Sequence, residues 1–150
     1  IGSIADNGSM IGGNVYGGWG KTAKDNIVTL RGTTVKGHVY GGQLSTGAAA
    51  SVTDGNTLNI YDMGTTVGYF EGFQNLNFYL SPKADTRLSM LTLTDPSHKD
   101  IRGMTLGIDI DGNSAPIHNG DVVCLIKLPT DKNLTTDLPA RNIRRRMALR

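Results

Sequence analysis

Residues 12–20 read GGNVYGGWG, and residues 36–47 read KGHVYGGQLSTG. Gly13, Val15, Tyr16, Gly17 and Gly18 fall on Gly37, Val39, Tyr40, Gly41 and Gly42, each at an offset of 24. A motif repeated for chemistry would carry nucleophiles, acids or metal ligands. These copies carry glycine, one aromatic and one β-branched residue, so the repetition is architectural. Each copy is followed by an alternating run, NIVTLRG at 26–32 and NTLNIYD at 56–62, now at an offset of 30 because LSTGAAAS at 44–51 intervenes. A third, degraded copy lies in TTVGYFEGFQNLNFYL at 65–80. There Thr65-Thr66-Val67 repeats Thr33-Thr34-Val35, aromatics replace the glycine corners, and Leu76, Phe78 and Leu80 alternate.

Short alternating strands joined at glycine corners, in a unit of two to three dozen residues, predict an all-β chain folded as a β-solenoid. One coil cannot bury its inward face alone. Stacked at the roughly 4.8 Å spacing of hydrogen-bonded strands, successive coils would set Val15 on Val39 and Leu30 on Ile60. Gly17-Gly18 and Gly41-Gly42 would turn the chain where a Cβ obstructs a positive φ or close packing. LSTGAAAS would leave the stack as a loop.

From about Leu88 the texture changes. LSMLTLTD, IRGMTLGIDIDGNS and GDVVCLIKLP alternate with period two, separated by turn signals at Asp95-Pro96, Asp111-Gly112 and Asn119-Gly120. The expected organisation is residues 1–87 as repeat coils, 88–128 as a closing β-segment that continues and caps them, and 129–150 as a polar, basic tail or linker.

Composition narrows the function classes. With 150 residues, one domain is expected. Twenty glycines and 19% charged residues argue against a helical bundle and against a disordered chain. The net charge of +2 hides an asymmetry: Arg141, Arg144, Arg145, Arg146 and Arg150 stand in a stretch without acids, and the rest of the chain is mildly acidic. Such a tail reads as a solvated terminus, and no nucleic-acid partner is expected, since that binding needs many phosphate contacts. Cys124 is the only cysteine. No internal disulfide can form, and VVCLIKL predicts a buried, inert thiol. The chain opens in mid-pattern on IGSIADNGS, without a basic start or an apolar segment. It reads as a piece of something longer, whose first coil would expose strand edges and invite end-to-end self-association.

Catalytic and metal patterns are weak, and no cofactor is expected. Asp109, Asp111 and Asn113 alternate as in a calcium loop, but Ser114 and Gly120 stand where that loop needs glycine and glutamate. His38, His98 and His118 lack ligand spacing, and His38 in the place of Asn14 suggests a solvent-facing position. WGKTAKD lacks the first glycine of a phosphate loop. Asp54, Asp62 and Asp85 are scattered, which disfavours a polysaccharide-degrading enzyme. If valine faces inward, Tyr16 and Tyr40 face outward as an aromatic ladder with Trp19 beside it. These three are the candidate ligand-binding residues, suited to stacking on glycans.

GNVYGG and GHVYGG with their NTLNIYD-like strands resemble the glycine-rich repeats of bacterial autotransporter-type passengers. The run VGYFEGFQNLNFYLSP, LSMLTLTD, GMTLGIDIDGNSAPIHNGDVVCLI is similar to the segment in which such proteins close their repeat array. The resemblance spans roughly residues 10–128. It implies a right-handed parallel β-helix, secretion to the bacterial cell surface, attachment to a C-terminal outer-membrane barrel, and a non-catalytic structural or adhesive role. A carbohydrate-binding module using the tyrosine rungs is the alternative. The Gly-Asp-Ser-Gly of trypsin-like protease passengers does not occur.

Overall fold

A computed structural model describes residues 8–45, 53–80, 88–95, 97, 100–110, 122–129 and 133–137. The expected loop at 46–52 and the tail beyond 137 lie outside them, as do Asp85, His98, His118 and the turn signals at 111–112 and 119–120. The described residues are all-β, with no helix, and so none long and apolar enough to cross a membrane.

The chain enters through β1 (Met10–Ile11), β2 (Val15–Tyr16), β3 (Trp19–Gly20) and β4 (Ile27–Arg31). It then makes β5 (Thr34–Val35), β6 (Val39–Tyr40), β7 (Gln43–Leu44) and β8 (Thr57–Tyr61). A third pass holds β9 (Thr65–Val67), β10 (Phe70–Glu71) and β11 (Asn75–Leu80). β12 (Ser89–Leu93), β13 (Thr105–Ile110) and β14 (Cys124–Lys127) follow. Four sheets collect them in the orders β1-β5-β9-β12-β14, β2-β6-β10, β4-β8-β11-β13 and β3-β7. Every strand pairing is parallel. Each strand therefore lies beside the one that holds its place in the preceding pass.

The register is the one the repeated words predict. Val15 pairs with Val39, Leu30 with Ile60, and Thr34 with Thr66. The offset is still 24 where Trp19 meets Gln43 and has become 30 where Ile27 meets Thr57, so the extra residues fall between Leu44 and Thr57. The turn signals after Leu88 do not fold their strands back as hairpins. β12 pairs with β9 and β14, and β13 pairs with β11, so these strands extend sheets already begun.

One face of each strand fills the core. Val28, Leu58 and Leu76 form one buried row, and Leu30, Ile60 and Phe78 form the next, all in contact with a single apolar cluster. Each rung is sheltered by its twin above and below, which is the burial that offsets the entropy of ordering so many short strands. The rows thin out at β13, where Leu106 and Ile108 are only half-buried.

Asparagine ties the corner before β4 and β8. Asn56 is fully buried, and its Oδ1 accepts from the backbone N–H of Asn26 (2.9 Å) and from Asn26 Nδ2 (3.1 Å). Its Nδ2 donates to the carbonyls of Ala23 (3.1 Å) and Gly72 (3.0 Å). One side chain thus satisfies backbone groups of three passes, the condition under which a buried amide is tolerated.

The corner glycines owe their place to contact rather than to torsion. Gly17 and Gly41 are not in the left-handed region, but a Cβ on Gly17 would stand 2.5 Å from the Gly41 carbonyl oxygen, and one on Gly41 would collide with the Gly72 carbonyl. The third copy keeps more glycine than its sequence suggests. Phe70 pairs with Val39 and Glu71 with Tyr40, which aligns GYFEGF with GHVYGG and sets Gly68 on Gly37 and Gly72 on Gly41. Only Gly42 gives way to an aromatic, Phe73, which is buried.

Cys124 corrects an expectation. VVCLIKL does form a strand, but Cys124 is exposed. β14 is the last strand of its sheet, so its residues lack a covering layer on one side and only Leu125 and Ile126 turn partly toward the core.

Candidate aromatic binding face

The inward Val15 and Val39 force their neighbours outward, since successive strand side chains point to opposite faces. Tyr16 and Tyr40 are in register. Their rings stack with centroids 5.1 Å apart and planes 10° apart. Trp19, 65% exposed, meets Tyr16 edge to face at 5.3 Å and 71°. The three sequence-predicted residues are therefore one contiguous surface, with Trp19 as its most open member.

The cluster extends into two residues that the sequence did not single out. Tyr40 meets Tyr69 at 87° with centroids 6.0 Å apart, and the two hydroxyls are 3.0 Å from each other. Tyr69 in turn stacks on His38 at 3.8 Å. The hydroxyl contact with Tyr69, followed by partial burial, raises the Tyr40 phenol from 10.0 to about 12. Aligning GYFEGF with GHVYGG on the retained glycines would have exposed Tyr69 as the partner of His38.

His38 is half-buried, not solvent-facing. It shares with Asn14 a job that explains why either residue serves. Asn14 Oδ1 accepts from the His38 backbone N–H (2.9 Å), and His38 Nδ1 accepts from the Tyr69 backbone N–H (3.2 Å). Each side chain anchors the backbone of the next pass, and any side chain with a well-placed acceptor would do so.

A second aromatic stack decorates the sheet β4-β8-β11-β13. Tyr61 and Tyr79 are in register and stack at 4.2 Å and 7°. Arg31, in register with Tyr61, places its guanidinium carbon 4.7 Å from the Tyr61 centroid, and its Nη1 bonds Asp62 at 3.0 Å. Beside this stack, Asn77 Nδ2 donates to Asn59 Oδ1 (3.0 Å) and Asn75 Nδ2 to Thr57 Oγ1 (3.2 Å). These groups satisfy one another.

Asp62, one of the scattered acids, is thus engaged by Arg31. Asp54 stands in the turn before β8, where its carbonyl accepts from the Asp25 N–H (2.9 Å). Asp109 is exposed and its Oδ1 accepts from the Ile110 N–H (2.7 Å), while the rest of the alternating Asp-Asn run lies outside the described residues. Among the described residues no three His, Cys, Asp or Glu side chains gather into a metal site.

Two depressions adjoin the aromatic face. One, of about 180 Å³, is lined by Tyr40, Gly42, Gln43, Leu44, Glu71 and Gly72. The other, of about 390 Å³, shares Glu71 and Gly72 and includes Asp100 and Arg102. Arg102 Nη2 holds Asp100 Oδ2 at 2.6 Å, and that contact lowers the Asp100 carboxyl to about 2. No family model matches the chain, and neither does any curated protein or solved structure.

Proposed function

We propose that the chain is a right-handed parallel β-helix serving as a non-catalytic, elongated structural or adhesive segment of a secreted bacterial surface protein. In this reading a barrel elsewhere in the full protein anchors it to the outer membrane. The observation that carries the proposal is the rotation of the chain through the same sheets, in chain order, with parallel pairing throughout. A β-helix requires that order, because each turn adds one strand to every face. Handedness follows the strong right-handed preference of parallel crossovers. A stack of this kind lengthens by simple addition of turns, which suits a spacer that carries something away from a membrane.

The test is surface labelling of cells that produce the protein. Antibodies raised against this chain should label intact cells, and external protease should remove the signal. Labelling that requires permeabilised cells would refute the surface assignment.

The exposed Trp19 braced by Tyr16 favours a second reading, in which the aromatic face contacts glycans. Flat, rigid rings held by register offer a stacking surface at little entropic cost. Retention on immobilised polysaccharide without release of fragments supports it, whereas cleavage products would indicate an enzyme.

A further inference from the structure

Trp19 and Gln43 occupy one outward row, and Tyr16, Tyr40 and Glu71 occupy the row beside it. Moving from pass to pass, the surface changes from aromatic to polar. Trp19 and Tyr16 stand in the first pass, Tyr40 and Gln43 in the second, and Glu71 in the third. The 180 Å³ depression lies at this change and is lined by Tyr40, Gln43 and Glu71 over a floor that includes Gly42 and Gly72. The spacing between passes, roughly 4.8 Å, is close to the length of one hexose unit.

We propose that this strip binds an uncharged oligosaccharide lying across the passes, with one sugar ring stacked at Trp19 and Tyr16 and the next seated in the depression. There the Gln43 amide and the Glu71 carboxylate take its hydroxyls. The assignment rests on the glycan reading and adds to it a ligand class and a direction. Charge sets the class. Glu71 is close enough to Tyr40 to act on its hydroxyl, and the cation in the adjoining cleft, Arg102, is already held by Asp100. A uronic or sialic acid would meet a carboxylate at Glu71. A neutral sugar finds an acceptor there, and hydrogen bonds to a charged group are the stronger kind.

The single tryptophan makes the test direct. The chain is titrated with a neutral N-acetylglucosamine or cello-oligosaccharide and, separately, with an oligogalacturonide, while the Trp19 indole N–H and the Gln43 side-chain amide are followed by NMR. The neutral sugars should shift both signals saturably, and the oligogalacturonide should bind at least about ten-fold more weakly, a difference of about 1.4 kcal/mol. Glu71→Gln should remove that discrimination, and Trp19→Ala should weaken neutral-sugar binding with Gln43 as reporter. Equal or tighter binding of the oligogalacturonide by the unaltered chain overturns the ligand class and leaves glycan stacking intact. If no sugar moves Trp19, both fall.

Discussion

Two tyrosine stacks grow from the same arithmetic and end differently. Tyr16 on Tyr40 and Tyr61 on Tyr79 both arise because an outward residue recurs in register on an adjacent strand. The Tyr61 stack is closed: Arg31 lies over its face and Asp62 holds Arg31 in place. The Tyr16 stack is open, continuing into an exposed Trp19 and bordered by a depression. Repetition therefore builds ladders without regard to function, and what distinguishes a candidate site is whether the ladder's own neighbours complete it.

Both stacks rest on the buried rows beneath them, so the largest effect should come from removing that support. Phe78→Ala, which empties the space between Ile60 and Ile108, should cost about 3–5 kcal/mol in denaturant unfolding. It should disturb the open and closed stacks together. Asn56→Ala strips partners from the Asn26 N–H and from the Ala23 and Gly72 carbonyls, and should cost about 2–3 kcal/mol by the same measurement. A loss below 0.5 kcal/mol at either position would mean that the passes are not held as described.

The next pair of variants separates the stacks. Arg31→Ala should lower stability by about 1 kcal/mol through its cation–π and partly screened ionic contacts. Trp19→Ala should stay within about 0.5 kcal/mol of the parent, as expected for an exposed side chain. The reverse order would make the open stack the structural one.

The smallest effect is in pH. The folded-state phenol of Tyr40 titrates near 12 rather than 10.0, so the protonated form is favoured by folding. Its contribution is complete below pH 10 and is lost as pH rises toward 12. Ultraviolet titration should resolve one late-ionising tyrosine, and Tyr69→Phe, which leaves no hydroxyl beside it, should return that tyrosine toward 10.0.

The repeated words made Val15 on Val39, Leu30 on Ile60 and the Tyr16–Trp19–Tyr40 surface legible, because a constant offset is visible without coordinates. What escaped were relations across changes in offset. Tyr61 and Tyr79 are only 18 residues apart because the third pass omits a counterpart of β3 and β7, so their pairing matches no earlier interval. Glu71 beside Tyr40 was hidden by the substitution of Phe70 and Tyr69 for Val39 and His38. Cys124 was misjudged for another reason: alternation reports which face a residue takes, and burial also depends on a covering neighbour, which the last strand lacks.

The in-register stacking of successive passes is best tested by methyl NOEs in solution, feasible at 16.0 kDa. Strong cross-peaks are expected between Val15 and Val39 and between Leu30 and Ile60, with Leu30 showing none to Leu93. Absence of the first two, or a partner for Leu30 displaced along the strand, would contradict the layered register on which the aromatic face and its proposed role depend.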